Sequence, residues 1–171
     1  FVFGELPAEA FDELGTSGGL RVSFLTGSQK RIEVRYENEL VSSVVVGNRT
    51  ECEMAVGLDE PDAIVDDLLE RGVRLSIVKL GGGGVLVADG SDRMRFDPLD
   101  IDVLCGLGAG DAFGGALVHG LLSSWDLERI GRFANGAGAY VATQLTCADA
   151  MPTTTMVDEV VEHGGTRGLQ E

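Results

Sequence analysis

The run Gly106-Leu107-Gly108-Ala109-Gly110-Asp111-Ala112-Phe113 is the stretch of this sequence best suited to chemistry. Glycine-rich backbone turns there into an amphipathic helix. The first turn of a helix carries N–H groups without intrahelical acceptors, backed by the positive end of the dipole, so it holds anions. Around a phosphoryl group in transit, such a turn would stabilise the charge building on its oxygens, while the carboxylate of Asp111 could accept the proton of an attacking hydroxyl. A glycine loop with Asp111 as an ordinary first-turn acid accounts for the same residues equally well. Two other glycine codes are excluded. A dinucleotide fingerprint starting at Gly106 needs glycine where Asp111 stands, and neither Lys30 nor Lys79 follows a glycine as a phosphate-loop lysine must.

The elements that must position this turn alternate between strand and helix. Residues 19–26 set Leu20, Val22 and Phe24 against Arg21, Ser23 and Leu25 and end at Gly27, a strand and a turn. Residues 32–36 give a weaker strand signal. Residues 41–46 are β-branched and apolar and are closed by Gly47-Asn48, which predicts a buried strand delivering Asn48 to its end. From Asp59 the period becomes 3.6: Pro61 stands in the first turn, Ile64, Val65, Leu68 and Leu69 share a face, and Gly72 closes the helix. Residues 73–80 predict a strand, residues 81–84 are all glycine, and residues 85–88 with Asp89-Gly90 predict a hairpin. Weak strands are expected at 94–96 and 101–104. Helices are expected at 112–122, from a cap at Asp126 to about Leu145, and from Thr153 onward. Ala112, Phe113, Ala116, Leu117, Gly120 and Leu121 line the inner face of the first, and Ile130, Phe133, Ala134, Ala137 and Val141 that of the second. This alternation predicts a single α/β domain over residues 1–171, a mostly parallel sheet with flanking helices whose ligands sit at the carboxyl ends of strands.

Composition narrows the partners. With 13 Lys and Arg against 28 Asp and Glu, the 171 residues carry a net charge of −15, which repels nucleic-acid backbones and anionic membranes. No apolar run is long enough for a transmembrane helix, and the first residues lack the pattern of a signal peptide, so a cytoplasmic protein is expected. Three widely spaced cysteines, Cys52, Cys105 and Cys147, suggest neither a disulfide framework nor a zinc site. The 25 glycines cluster where backbone would be approached closely. A start at Phe1 suggests a fragment. Eight carboxylates between Glu51 and Glu70 read as a solvated helix face.

Four motifs in fixed order resemble the ribokinase-type (PfkB) carbohydrate kinases. The signature around Gly108-Ala109-Gly110-Asp111-Ala112-Phe113 matches residue for residue. Upstream lie Asn48-Arg49-Thr50-Glu51, an Asn-x-x-Glu motif after a buried strand, and Val78-Lys79-Leu80-Gly81-Gly82-Gly83-Gly84, a strand ending in a glycine turn. Downstream lies Phe133-Ala134-Asn135-Gly136-Ala137-Gly138-Ala139. The resemblance implies the C-terminal part of a ribokinase-like fold that binds ATP and Mg²⁺ and phosphorylates a sugar hydroxyl. It implies Asp111 as catalytic base, and Gly108, Ala109 and Gly110 as the anion hole. Asn48 and Glu51 would place phosphate and Mg²⁺, with Glu51 acting through water. Lys79, Gly81 and Gly84 would contact the nucleotide, and Asn135 its adenine side. Within the family, residues 106–122 and 147–153 look like the 5-dehydro-2-deoxygluconokinases, which implies a keto-sugar acid as acceptor.

Departures from the pattern carry their own expectations. Cys105 stands where many members have an acidic residue, which counts against a monovalent-cation site there. Residues 1–39 match only loosely, with Gly4-Glu5-Leu6-Pro7 standing for a family loop, and the sugar-binding and lid half is missing. The chain alone is therefore expected to be weak or inactive as a kinase, and a homodimer is plausible only for the full-length protein. The competing reading is a non-catalytic nucleotide-binding or interaction module derived from a sugar kinase. His119, His163 and Trp125 read as structural.

Overall fold

The computed structural model describes residues 44–146 and 148–166 together with the backbone of residues 22–24. The expected weak strand at 32–36 and the loop at 4–7 lie outside the described residues, as does Cys147. No helix of the described residues is long and apolar enough to cross a membrane.

The order of elements is β1 (Val22–Phe24), β2 (Val44–Asn48), α1 (Arg49–Val56), α2 (Pro61–Glu70), β3 (Leu75–Lys79), a 3-10 turn (Gly81–Gly83), β4 (Val85–Asp89), β5 (Arg93–Phe96), α3 (Ala109–Leu122), α4 (Leu127–Ala142), a 3-10 turn (Ala148–Ala150) and α5 (Thr154–Glu162). The strands form one sheet in the order β1-β2-β3-β4-β5. β1, β2 and β3 run parallel, with Val44 opposite Leu75 and Asn48 opposite Lys79. The connections from β3 to β4 and from β4 to β5 are too short for a parallel crossover, so these neighbours run antiparallel. Residues 44–47 and 75–78 are buried without alternation, the pattern of strands covered on both faces.

Two compact units divide the chain, one holding the described residues up to Gly81 with Leu86–Arg95, the other Gly82–Val85 and the described residues from Phe96 on. The core of the first unit gathers Val45, Cys52, Ile64, Val65, Leu68, Val73, Val78 and Leu86. Across its surface, Arg93 of β5 pairs with Asp62 and Asp66 of α2, and Arg95 reaches Asp62 at 3.3 Å. The acidic face of α2 is thus partly neutralised by the β4–β5 hairpin rather than simply solvated. In the second unit, α4 packs between α3 and α5. Gly120 lies against Ile130 and Trp125, and Gly136 against Val157 and Val161, so glycines set the helix spacing. The expected inner faces are buried, with Leu121 only half-buried.

Four local expectations change. The helix α1 was not anticipated; it is short and weakly amphipathic, and its cue was the box closed by Asn48 and Glu51. Helix α3 begins at Ala109, three residues earlier than expected, because glycine lets the turn itself be helical. Helix α4 stops at Ala142 rather than about Leu145, and Thr143 seals it by donating its hydroxyl to the Tyr140 carbonyl at 2.7 Å. No strand forms at 101–104. A single bridge pairs Asp100 with Gly165, and the N–H groups of Leu104 and Cys105 both donate to the Ala142 carbonyl, so they are committed to a helix end and not to a ladder.

Burial, with Glu51 next in effect, pushes the Cys52 thiol from 9.0 up to about 12. Unfolded chains lose this proton near the lower value while folded ones retain it, so the thiol costs stability as pH climbs from 9 toward 12. Melting curves over that interval are expected to fall more steeply for the parent than for Cys52→Ala. Iodoacetamide should modify Cys52 only on unfolding.

Candidate nucleotide and phosphoryl-transfer site

The first unit brings four candidates to the carboxyl end of its parallel strands. Asn48 ends β2, Lys79 ends β3 directly opposite it, and Gly81 opens the following turn. Asn48 is also the N-cap of α1. Its side-chain oxygen accepts from the Glu51 N–H at 2.9 Å, and Glu51 Oε2 accepts from the Asn48 N–H at 2.6 Å. The Asn-x-x-Glu spacing is therefore a reciprocal capping box, which satisfies two helix-start donors and holds both side chains still at a strand end. Glu51 is half-buried, and Lys79 keeps a partly exposed side chain.

The second unit brings together Gly108, Ala109, Gly110 and Asp111. Gly108 is the N-cap of α3 at φ +83°, a left-handed conformation, and no side chain caps this helix. With Ala109 in a tight turn onto the Gly106 carbonyl, the N–H groups of Gly110 and Asp111 are left without intrahelical acceptors. Asp111 is exposed in the same first turn. Beside it opens a cavity of about 300 Å³ lined by Gly115, His119, Phe133, Ala137, Met151 and Thr154. The sequence reading missed this space; its signal was the small residues at 115, 116 and 137. His119 and Trp125 stack edge to face at 5.1 Å, Trp125 meets Phe133 at 5.0 Å, and Arg129 covers the indole at 3.9 Å, so all four serve packing.

Gly84 and Asn135 each have a partner within the fold. Gly84 is buried at φ +82°, and a side chain there would run into the Phe96 carbonyl. Asn135 donates its amide to the Asp97 carbonyl at 2.9 Å. Gly81, at φ +57°, has open space around its Cα.

Among the described residues no three His, Cys, Asp or Glu side chains could hold a metal together. This donor set suits Mg²⁺ that arrives on phosphates, since that ion keeps several waters and needs only one or two carboxylates from the protein. Glu51 is such a carboxylate.

Substitution should separate the glycines. Gly81→Ala is expected to cost about 1 kcal/mol, the strain of a left-handed alanine, whereas Gly84→Ala adds a backbone clash and should cost several times as much. Urea unfolding of the two variants measures the difference.

Residues 31–154 match the model of the pfkB family carbohydrate kinases. A 5-dehydro-2-deoxygluconokinase of Clostridium perfringens is 26% identical over 127 residues, 71% of this chain and 37% of that protein. The ribokinase of Thermotoga maritima superimposes with a TM-score of 0.64 at 25% identity, over 69% of this chain and 41% of that one. Arabidopsis thaliana ribokinase, solved with ribose and ATP, gives 0.66 at 22% identity over 71% and 41%. The chain thus spans well under half the length of the relatives it matches. With the family model covering most of its length, and a sheet with flanking helices beneath the motifs, this chain belongs to the pfkB family of carbohydrate kinases.

Proposed function

We propose that this chain carries the nucleotide-binding and phosphoryl-transferring part of an ATP-dependent sugar kinase whose acceptor is a keto-sugar acid of the 5-dehydro-2-deoxygluconate type. The observation that carries the reading is the start of α3, a glycine turn without a side-chain cap and with a carboxylate in its first turn. Bound ATP and Mg²⁺ would supply the transferable phosphoryl group and neutralise part of its charge.

The N–H groups that follow Gly108 face the charge that grows on the phosphoryl oxygens, and they are fixed before the reaction begins, so little reorganisation is needed. Asp111 takes the proton from the acceptor hydroxyl as its oxygen bonds to phosphorus, and the bond to the ADP oxygen breaks. Asn48 and Glu51 assist phosphate and metal placement. Lys79, Gly81 and Gly84 belong to the nucleotide side, Lys79 supplying positive charge at a strand end. The acceptor assignment rests on the relatives' names and on the likeness of residues 106–122 and 147–153 to those kinases.

The test uses the protein as its gene encodes it. Asp111→Asn is expected to lower phosphorylation of 5-dehydro-2-deoxygluconate by about 10²- to 10⁴-fold, with ADP affinity held within about threefold, a small change on the binding scale. Coupled-enzyme kinetics and calorimetry give the two numbers. Undiminished turnover would remove Asp111 from the chemistry, and ADP binding without transfer to any sugar would favour a non-catalytic module.

A further inference from the structure

Gly131, Asn135 and Gly138 recur at helical spacing along one stripe of α4. The first allows the Phe96 ring to lie directly on the helix backbone, where any side chain would collide with it. One turn on, the Asn135 amide holds the Asp97 carbonyl. Held on α4 through the Phe96 ring and the Asp97 carbonyl, the peptide that joins these two residues is bracketed on one side. On its other side it is the surface against which Gly84 rests. At the far end of the stripe Gly138 packs on the first turn of α3, where an added Cβ would lie 3.2 Å from the Ala109 carbonyl. Within the second unit, one helix face thus touches both the segment against which Gly84 rests and the start of α3.

We propose that Asn135 is a positioning residue: by holding the Asp97 carbonyl it anchors the chain one residue past the Phe96 carbonyl, against which Gly84 rests, and so sets the end of the glycine turn at residues 81–84. Its effect on nucleotide affinity rests on the nucleotide reading of that turn, but its effect on the turn does not. The working part is the donor. Asn135→Asp keeps shape and acceptors while turning an oxygen toward the Asp97 carbonyl, so it is a sharper probe than truncation.

The measurement is amide hydrogen exchange, residue by residue, on the protein without ligand, with calorimetric titration of ADP and GDP alongside. Asn135→Asp is expected to speed exchange at Gly84, Val85 and Asp97 at least tenfold, with Ile77 in β3 unchanged as the internal control. Asn135→Gln, which restores a donor, should recover most of that protection. ADP and GDP should weaken by the same factor, leaving their ratio as in the parent. Unchanged exchange at Gly84 and Val85 in Asn135→Asp overturns the proposal, as does a selective loss of ADP over GDP, which would make Asn135 a base-contacting ligand. If the parent binds neither nucleotide, the nucleotide reading fails, while the exchange result still decides the positioning role.

Discussion

Every helix begins with N–H groups that its own backbone cannot satisfy, and much of this structure follows from how each start is treated. Asn48, Asp126 and Thr153 place a side-chain oxygen on the first turns of α1, α4 and α5. Helix α2 has no side-chain cap but places Pro61 first, where the missing donor removes one orphan. Helix α3 has neither device. Its start is built from glycine and alanine, which supply no oxygen, and so its donors remain available to an external anion. The contrast separates the helices whose first turns are capped or begin with proline from the one whose donors are left open.

The same contrast explains what could be read from the residues. Asp126 and Thr153 were legible as caps because each precedes a run with clear period. The strands at 44–48 and 75–79 were legible because burial on both faces leaves a continuous apolar run. Helix α1 was hidden for a physical reason: it has one buried residue, Cys52, so no periodicity announces it, and only its box marks the start. Asn48 and Lys79 stand at strand ends as the strand patterns place them, while residues 109–111 lie within α3, whose start the helix pattern put at 112. Asn135 was legible as part of a motif but not as a donor to Asp97, because that bond joins residues 38 apart and has no local signal.

Charge shows a similar limit. The acids of α2 were visible, yet their partners Arg93 and Arg95 lie on a hairpin brought near only by the fold. Exposed pairs of this kind add little stability individually. Their larger effect is on register, since they favour one placement of the hairpin against the helix in a chain with far more acids than bases.

That hairpin has another consequence. β5 is the last strand in the sheet order among the described residues, and an outer strand exposes backbone donors and acceptors to any other strand that drifts near. Its sequence is Arg-Met-Arg-Phe, with both arginines exposed and held in ion pairs and only Phe96 buried. Two identical edges approaching each other would bring four guanidinium groups together and break their existing pairs. Among the described strands, where β2, β3 and β4 are largely apolar, the cations on β5 would disfavour any such joining of separate copies sheet to sheet.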